Sequence, residues 1–153
     1  MLDQLQTVFA SFQKNDVKYL VIGGIAAVLY GVPRATFDLD ILIEPTNENA
    51  QRLLDALRES GFGTAEMTSA EEIIKKEITI FADRIRLDVL TATPGITFAD
   101  SWRRRKTMTY EGQVFEVLSF ADLVKSKTAA GRKVDLEDVR VLTSVEKESD
   151  SED

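Results

Sequence analysis

The segment Phe37–Ile43 places the strongest constraint on the fold, because its apolar and polar residues alternate. In an extended chain, successive side chains point to opposite faces. One face would carry Phe37, Leu39, Ile41 and Ile43, and the other Asp38, Asp40 and Leu42. The alternation therefore predicts a β-strand over 37–43 with one apolar face and one face that carries two carboxylates.

Segments of helical and strand-like periodicity alternate along the rest of the chain. Helices are expected near residues 3–14, 25–30, 47–60, 98–106, 119–130 and 135–145, with a short helix capped by Ser69. Further strands are expected at 18–22, 77–81, 84–90, 108–110 and 114–118, with hairpin turns at Ala82-Asp83 and Glu111-Gly112. The pattern predicts an α/β or α+β domain with a mixed β-sheet.

The 153 residues include no Cys and no His, which restricts the chemistry. Disulfides, thiol nucleophiles and Cys-ligated metal sites are excluded. The commonest transition-metal ligand and the usual general base at neutral pH are also absent. A site must therefore use carboxylates, hydroxyls, Lys, Arg or Tyr, and carboxylates suit hard cations such as Mg²⁺, Mn²⁺ or Ca²⁺.

The acidic residues are unevenly distributed. The net charge is −7, and residues 146–153 contribute −4 of it. We expect residues 1–145 to form a single domain and residues 146–153 to form a disordered acidic tail. The chain starts without a secretory signal, and its apolar segment Tyr19–Tyr30 is too short to span a bilayer. The sequence thus predicts a cytoplasmic protein that does not enter membranes.

Three acidic residues form the candidate chemical site. Asp38 and Asp40 lie about 6.5–7 Å apart on one face of their strand. Asp88 lies on the polar face of the strand expected at 84–90. If the two strands are neighbours, the three carboxylates converge, and their repulsion would be relieved by divalent cations. Such an arrangement suits one or two metal ions that clamp a phosphoryl transfer.

Two further features near this strand are suited to phosphate. Gly23 and Gly24 follow a strand and open a helix, where a backbone without side chains lets a phosphate approach the amides. Arg34 could contact the same phosphates with its planar guanidinium group. Taken singly, each feature is more often a turn or a surface residue, and only their combination is specific.

Residues 23–43 resemble the signature of the polymerase-β-like nucleotidyltransferase superfamily, in which a Gly-Gly or Gly-Ser turn precedes a short helix and an Asp-x-Asp strand. The family's third acid follows an apolar residue on a later strand, as in Arg86-Leu87-Asp88-Val89-Leu90. The chain is similar to the small minimal, lincosamide-modifying and abortive-infection-toxin types, which also carry a helical segment like residues 122–138. The resemblance covers about residues 18–142.

The resemblance implies a nucleotidyltransferase fold, with helices on both sides of a mixed sheet, and a two-metal enzyme. It would transfer a nucleoside monophosphate from an NTP, such as ATP, to an acceptor hydroxyl or phosphate, with release of pyrophosphate. Asp38, Asp40 and Asp88 would be the catalytic residues and would bind Mg²⁺ or Mn²⁺. Gly23, Gly24, Arg34 and, by the toxin-type pattern, Lys127 would bind the nucleotide, and Asp138 could support the site.

The acceptor is left open as a small molecule, an RNA end or a partner protein, and the chain could act as a homodimer. An alternative function is a non-catalytic or partner-directed module, such as one half of a toxin–antitoxin pair. A scaffold without a ligand is a third reading. The basic cluster Trp102–Lys106 could bind nucleic acid, but it is more simply a helix face with solvated charges.

Overall fold

The computed structural model describes residues 2–152, with side chains from Leu5 to Glu148. In chain order, the elements are α1 (Leu2–Lys14), β1 (Tyr19–Ile22), α2 (Gly23–Leu29), β2 (Asp38–Ile43), α3 (Asn47–Glu59), α4 (Ala70–Lys75), β3 (Ile78–Ala82), β4 (Arg86–Leu90), α5 (Phe98–Arg103), β5 (Lys106–Tyr110), β6 (Gln113–Val117), α6 (Phe120–Ala130) and α7 (Lys133–Glu152). A 3₁₀ turn covers Gly63–Met67.

The six strands form one sheet in the order β3-β4-β2-β1-β6-β5. The pairs β2–β4 and β1–β6 are parallel, and the other three pairs are antiparallel. The sheet is therefore mixed, which confirms the predicted fold class. Within residues 2–152, no helix combines the length and the apolar character that a membrane span requires.

The apolar face of β2 is buried as its alternation predicts. Leu39, Ile41 and Ile43 are at most 1% exposed. They belong to a core cluster that also contains Phe12 of α1 and Leu57 of α3. Both of these helices were predicted from the spacing of their apolar residues. The core fixes β2, and thereby fixes the direction in which Asp38 and Asp40 point.

Two helix starts and one hairpin turn agree with the predictions, whereas the turn expected at Ala82-Asp83 lies over residues 83–85, because Ala82 still pairs with Arg86. Ser69 Oγ accepts a hydrogen bond from Glu72 N, and Ser119 Oγ accepts one from Asp122 N, at the starts of α4 and α6. The turn between β5 and β6 lies at Glu111-Gly112, where both residues have positive φ angles. These local signals therefore located two helix starts and one turn correctly.

Two expectations, about the start of β2 and about the end of the fifth helix, are wrong. Phe37 is 80% exposed instead of buried, because the strand pairing begins one residue later, where Asp38 lies opposite Arg86. Leu42 is buried on the face that it was expected to share with Asp38 and Asp40, because it lies between Leu20 and Leu90 across the sheet. The helix expected over 98–106 ends at Arg103, because residues from Lys106 onwards pair with β6.

Helix α7 is longer than predicted at both ends. It begins at Lys133, and Asp135 lies in its first turn instead of before it. It continues to Glu152, through residues that the sequence led us to expect as a disordered tail. Glu and Lys are favourable in helices, so the charge that suggested disorder is compatible with a continuing helix.

Candidate active site

The parallel pairing of β2 with β4 places two of the predicted acids side by side. Asp40 lies opposite Asp88 in the register, and Asp38 lies opposite Arg86. Asp88 is only 8% exposed, although it faces away from the apolar face of its strand. The strands are thus neighbours, as the sequence argument required, and Asp40 and Asp88 occupy one row across the sheet.

The electrostatics of this row disfavour two negative charges. Burial, followed by the charge of Asp88 and a hydrogen bond with its carboxyl group, raises the pKa of Asp40 to about 7. The charge of Asp38 acts in the same direction, and that of Arg86 opposes it. A pair of carboxyl groups with this repulsion, one buried and one partly buried, is a chemically suitable donor set for a hard divalent cation.

Gly23 allows the backbone to approach Asp40 closely. A Cβ atom at this position would lie 2.3 Å from Asp40 Oδ2, and the residue has a φ of +69°. Glycine is therefore required here both for space and for backbone conformation. Gly23 and Gly24 begin α2, whose first turn has no side-chain cap. The glycine pair predicted from the sequence thus lies directly beside the acidic row.

Arg86 lies between the three predicted acids. Its Nε is 2.9 Å from Asp88 Oδ1 and its Nη2 is 3.3 Å from Asp88 Oδ2, while Nε is 4.0 Å from Asp38 Oδ2. The side chain of Asp38 is half exposed. Within the part of the chain that the structure describes, no group of three or more acidic residues is arranged to hold a metal ion. The three-acid metal site therefore stays a prediction.

The other predicted cations meet at one buried carboxylate of α7. Lys127 Nζ lies 2.8 Å and Arg34 Nη2 lies 3.0 Å from Asp138 Oδ2. Lys127 Nζ is also 3.7 Å from Asp135 Oδ1, and Asp135 accepts hydrogen bonds from Arg132. Burial raises the pKa of Asp135, but its contacts with Arg132 and Lys127 outweigh burial and lower the pKa overall.

A cavity of about 200 Å³ connects the acidic row with this ionic network. Gly23, Asp40, Asp88, Lys127 and Arg132 are among its lining residues. Arg34, Gly24 and Asp38 do not line it. The structure thus collects four of the seven predicted site residues around one cavity.

Sequence reasoning assigned no role to Arg132, which lines the cavity, or to Ser126 beside Lys127. Arg132 could have been recognised by its spacing from Asp135, because residues three apart at a helix start are close enough to pair. The sequence carries no comparable signal for Ser126.

The arginines of the basic cluster Trp102–Lys106 are paired within the protein. Arg103 pairs with Asp100, and Arg105 pairs with Glu116 at 3.3 Å. Arg104 makes two hydrogen bonds of 3.1 Å to the buried carboxylate of Asp122. These contacts favour the simpler interpretation of the cluster, as charges that pair locally.

Comparisons with known proteins point to one family. The model of a family described as a nucleotidyltransferase of unknown function, DUF6036, matches residues 2–150. A candidate nucleotidyltransferase from Thermotoga maritima has a solved structure that is 18% identical, with a TM-score of 0.57, over 94% of this chain and 92% of that chain. An antigenic nucleotidyltransferase-like protein from Paracoccidioides brasiliensis is also 18% identical, with a TM-score of 0.56, over 94% and 75%. No curated protein sequence matches this chain. At this identity, the structural likeness shows the fold.

Proposed function

This chain belongs to the nucleotidyltransferase family DUF6036, and we propose that it transfers a nucleoside monophosphate from an NTP to an acceptor, with release of pyrophosphate. The observation that carries the proposal is the in-register pair Asp40 and Asp88 beside Gly23. A phosphoryl transfer needs mainly positioning and charge neutralisation, and these residues are suited to both.

Asp40 and Asp88 fit a divalent cation, because they are adjacent carboxyl groups whose joint ionisation is unfavourable without added positive charge. Asp38, half exposed on the same strand face, is the proposed third ligand. Bound Mg²⁺ or Mn²⁺ would neutralise charge on the triphosphate and would polarise its phosphorus.

The nucleotide phosphates would bind beside Gly23 and Gly24. No side chain caps the first turn of α2, and the absence of side chains at Gly23 and Gly24 permits a phosphate to approach the backbone closely. Lys127, in the same cavity as Asp40 and Asp88, would supply positive charge. Arg34, whose side chain is 35% exposed, would reach the phosphates from the rim while Asp138 holds it.

In the proposed reaction, the acceptor oxygen forms a bond to the α-phosphorus of the NTP. The bond from that phosphorus to the bridging oxygen breaks, and pyrophosphate leaves with the electron pair. The proton of an acceptor hydroxyl would pass to a carboxylate, and Asp88, which lines the same cavity as Asp40, is proposed for this role.

The test combines nucleotide binding with transfer. Calorimetry with Mg²⁺ and a non-hydrolysable NTP analogue would compare the wild type with Asp40→Asn, Asp88→Asn and Asp55→Asn. Asp55 is a half-exposed acid of α3 and serves as the control. We expect binding in the wild type and in Asp55→Asn only. Transfer from an α-labelled NTP to candidate acceptors should follow the same order, and equal transfer by all four proteins would refute the proposal.

One observation favours a binding module as the second candidate. Arg86 donates hydrogen bonds to both oxygens of Asp88, which is the arrangement of a structural ion pair that takes no part in catalysis. In that case the fold would bind a partner protein and the acids would be idle. A protein that co-purifies with a partner protein, and transfers no nucleotide either alone or with that partner, would support this alternative.

A further inference from the structure

A second and larger cavity lies on the sheet face that carries Asp40. Its volume is about 630 Å³, within the range of small-molecule binding sites. It lies at the carboxyl ends of β2 and β4, where it is lined by Leu42, Thr91 and Thr93. Thr93 also lines the cavity that contains Asp40 and Asp88. The two cavities are therefore neighbours along the course of β4.

The order of groups along β2 gives this second cavity a definite position relative to the acids. Because β1 is antiparallel to β2, Ile22 lies opposite Asp40, and the glycine turn that follows Ile22 lies toward the start of β2. Leu42 lies two residues beyond Asp40, about 7 Å further along the same face. Asp40 and Asp88 thus stand between the glycine turn and the second cavity.

Apolar and aromatic side chains dominate the lining of the second cavity. Ile96, Phe98 and Trp102 contribute to its wall. The rings of Phe98 and Trp102 are stacked with centroids 5.5 Å apart. The guanidinium carbon of Arg105 lies 3.9 Å from the Trp102 centroid, and Arg105 is itself paired with Glu116. These contacts hold the indole in place, so the part of Trp102 that lines the cavity forms a preformed apolar wall.

The charges around the second cavity disfavour an anionic occupant. Its one lining arginine, Arg103, pairs with Asp100. Its one lining carboxylate, Glu44, pairs with Lys18 at 3.5 Å. The neighbouring Arg104 and Arg105 are bound to Asp122 and Glu116. A nucleic-acid backbone would gain little binding free energy at this cavity, because the arginines described above are paired and no cluster of free cations is available to replace its counterions.

We propose that this cavity binds the acceptor, and that the acceptor is a neutral small molecule with an apolar, ring-sized body and a hydroxyl group. The proposal rests on the proposed nucleotidyl transfer. The apolar body would lie against Phe98 and Trp102, and the hydroxyl group would point past Thr93 toward Asp88. The glycine turn would hold the phosphates at the opposite end of the acidic row.

Trp102 is the only tryptophan of the chain. It lines this cavity and also a separate cavity beside Arg105 and Glu116, so the cavity-filling variants below identify which of the two responds. The probe is cyclohexylmethanol, a neutral alcohol that does not absorb at the excitation wavelength. We expect a saturable change in the emission of the wild-type protein. Cyclohexyl phosphate and a single-stranded oligonucleotide should bind more weakly. Tighter binding of either anion would overturn the assignment of the acceptor class.

Two variants would fill the cavity. Ala99→Phe and Ala92→Phe each add a ring at an exposed alanine of its wall. The matched control is Ala35→Phe, which fills a separate apolar hollow lined by Ile25, Val28 and Phe37. The alcohol response should fall at least tenfold in the folded variants of the first pair and stay unchanged in the control. An equal response in all variants, or no saturable response in the wild type, would overturn the proposal.

Nucleotide binding separates this proposal from the proposed function. Asp40→Asn should lose binding of Mg²⁺ with the NTP analogue and keep the alcohol response. Ala99→Phe should show the reverse. If Ala99→Phe lost nucleotide binding instead, the cavity would hold the nucleobase and the acceptor assignment would be wrong. If the wild type bound the alcohol but no nucleotide, the transfer itself would be refuted.

Discussion

The ion pair between Lys127 and Asp138 makes a quantitative prediction about stability. Lys127 is 5% and Asp138 is 2% exposed, and their charged atoms lie 2.8 Å apart. Removing one partner of a buried pair leaves an uncompensated charge, which typically costs about 3–5 kcal/mol. The two single substitutions Asp138→Leu and Lys127→Met keep the side-chain volume similar, but they should differ in cost.

The difference follows from the contacts that remain. In Asp138→Leu, the ammonium group of Lys127 keeps only Asp135 Oδ1 at 3.7 Å, and that carboxylate already binds Arg132 at 2.7 Å. We expect a loss of about 3 kcal/mol in the free energy of unfolding. In Lys127→Met, Asp138 keeps Arg34 at 3.0 Å and Asp135 keeps Arg132. The expected loss is about 1 kcal/mol.

Urea denaturation followed by circular dichroism measures both values. Arg34→Gln is the control, since its partly exposed side chain should contribute less than about 1 kcal/mol. Binding of the NTP analogue gives a second measurement that does not depend on stability. Lys127→Met should lose affinity for the analogue while it remains well folded. If Asp138→Leu cost no more than Lys127→Met, the ranking by remaining counter-charges would be refuted.

Three further predictions follow from single contacts. Gly23→Ala should lose affinity for Mg²⁺, since the added Cβ would displace the Asp40 carboxylate. The control is Gly112→Ala, where φ is +83° and no atom lies within 4 Å of the added Cβ. This control should lose only about 1 kcal/mol of stability. Arg86→Gln should bind Mg²⁺ about two- to fivefold more tightly by calorimetry, because Arg86 competes with the metal ion for both oxygens of Asp88. The control Arg84→Gln should bind Mg²⁺ as the wild type does. Burial raises the pKa of Asp122, but Arg104 outweighs burial and lowers it overall, so its contribution to stability is present above about pH 4 and is lost as the pH falls further. Arg104→Gln should therefore shift the acid-unfolding midpoint, followed by circular dichroism, to a higher pH.

Local patterns predicted the elements because they are properties of the chain itself. The alternation over 37–43 located β2 to within one residue, and Ser69 and Ser119 located two helix starts. The failure at Phe37 has a physical reason. Alternation defines two faces, but only the partner strand decides where burial begins.

The site was predictable in its residue types and only partly in its geometry. Nothing within β2 or β4 specifies that they pair in parallel with Asp40 opposite Asp88. The bidentate contact from Arg86 to Asp88 could be anticipated, because residues two apart on a strand share a face. The meeting of Lys127 and Asp138 depends on how α7 folds back on α6, where Gly131 adopts a φ of +68°. Such long-range placement is decided by packing and not by the local sequence.

Net charge is a poor guide to what this site can bind, because most charges near it are already paired. Asp88, Asp135 and Asp138 each have a cationic partner within 3.0 Å. Burial and the neighbouring carboxyl groups raise the pKa of Asp40 to about 7. Added positive charge would therefore stabilise the ionised form of Asp40. An acidic chain can accordingly favour a cation at one position and a phosphate group next to it, since a metal ion bound there would reverse the local sign of the charge.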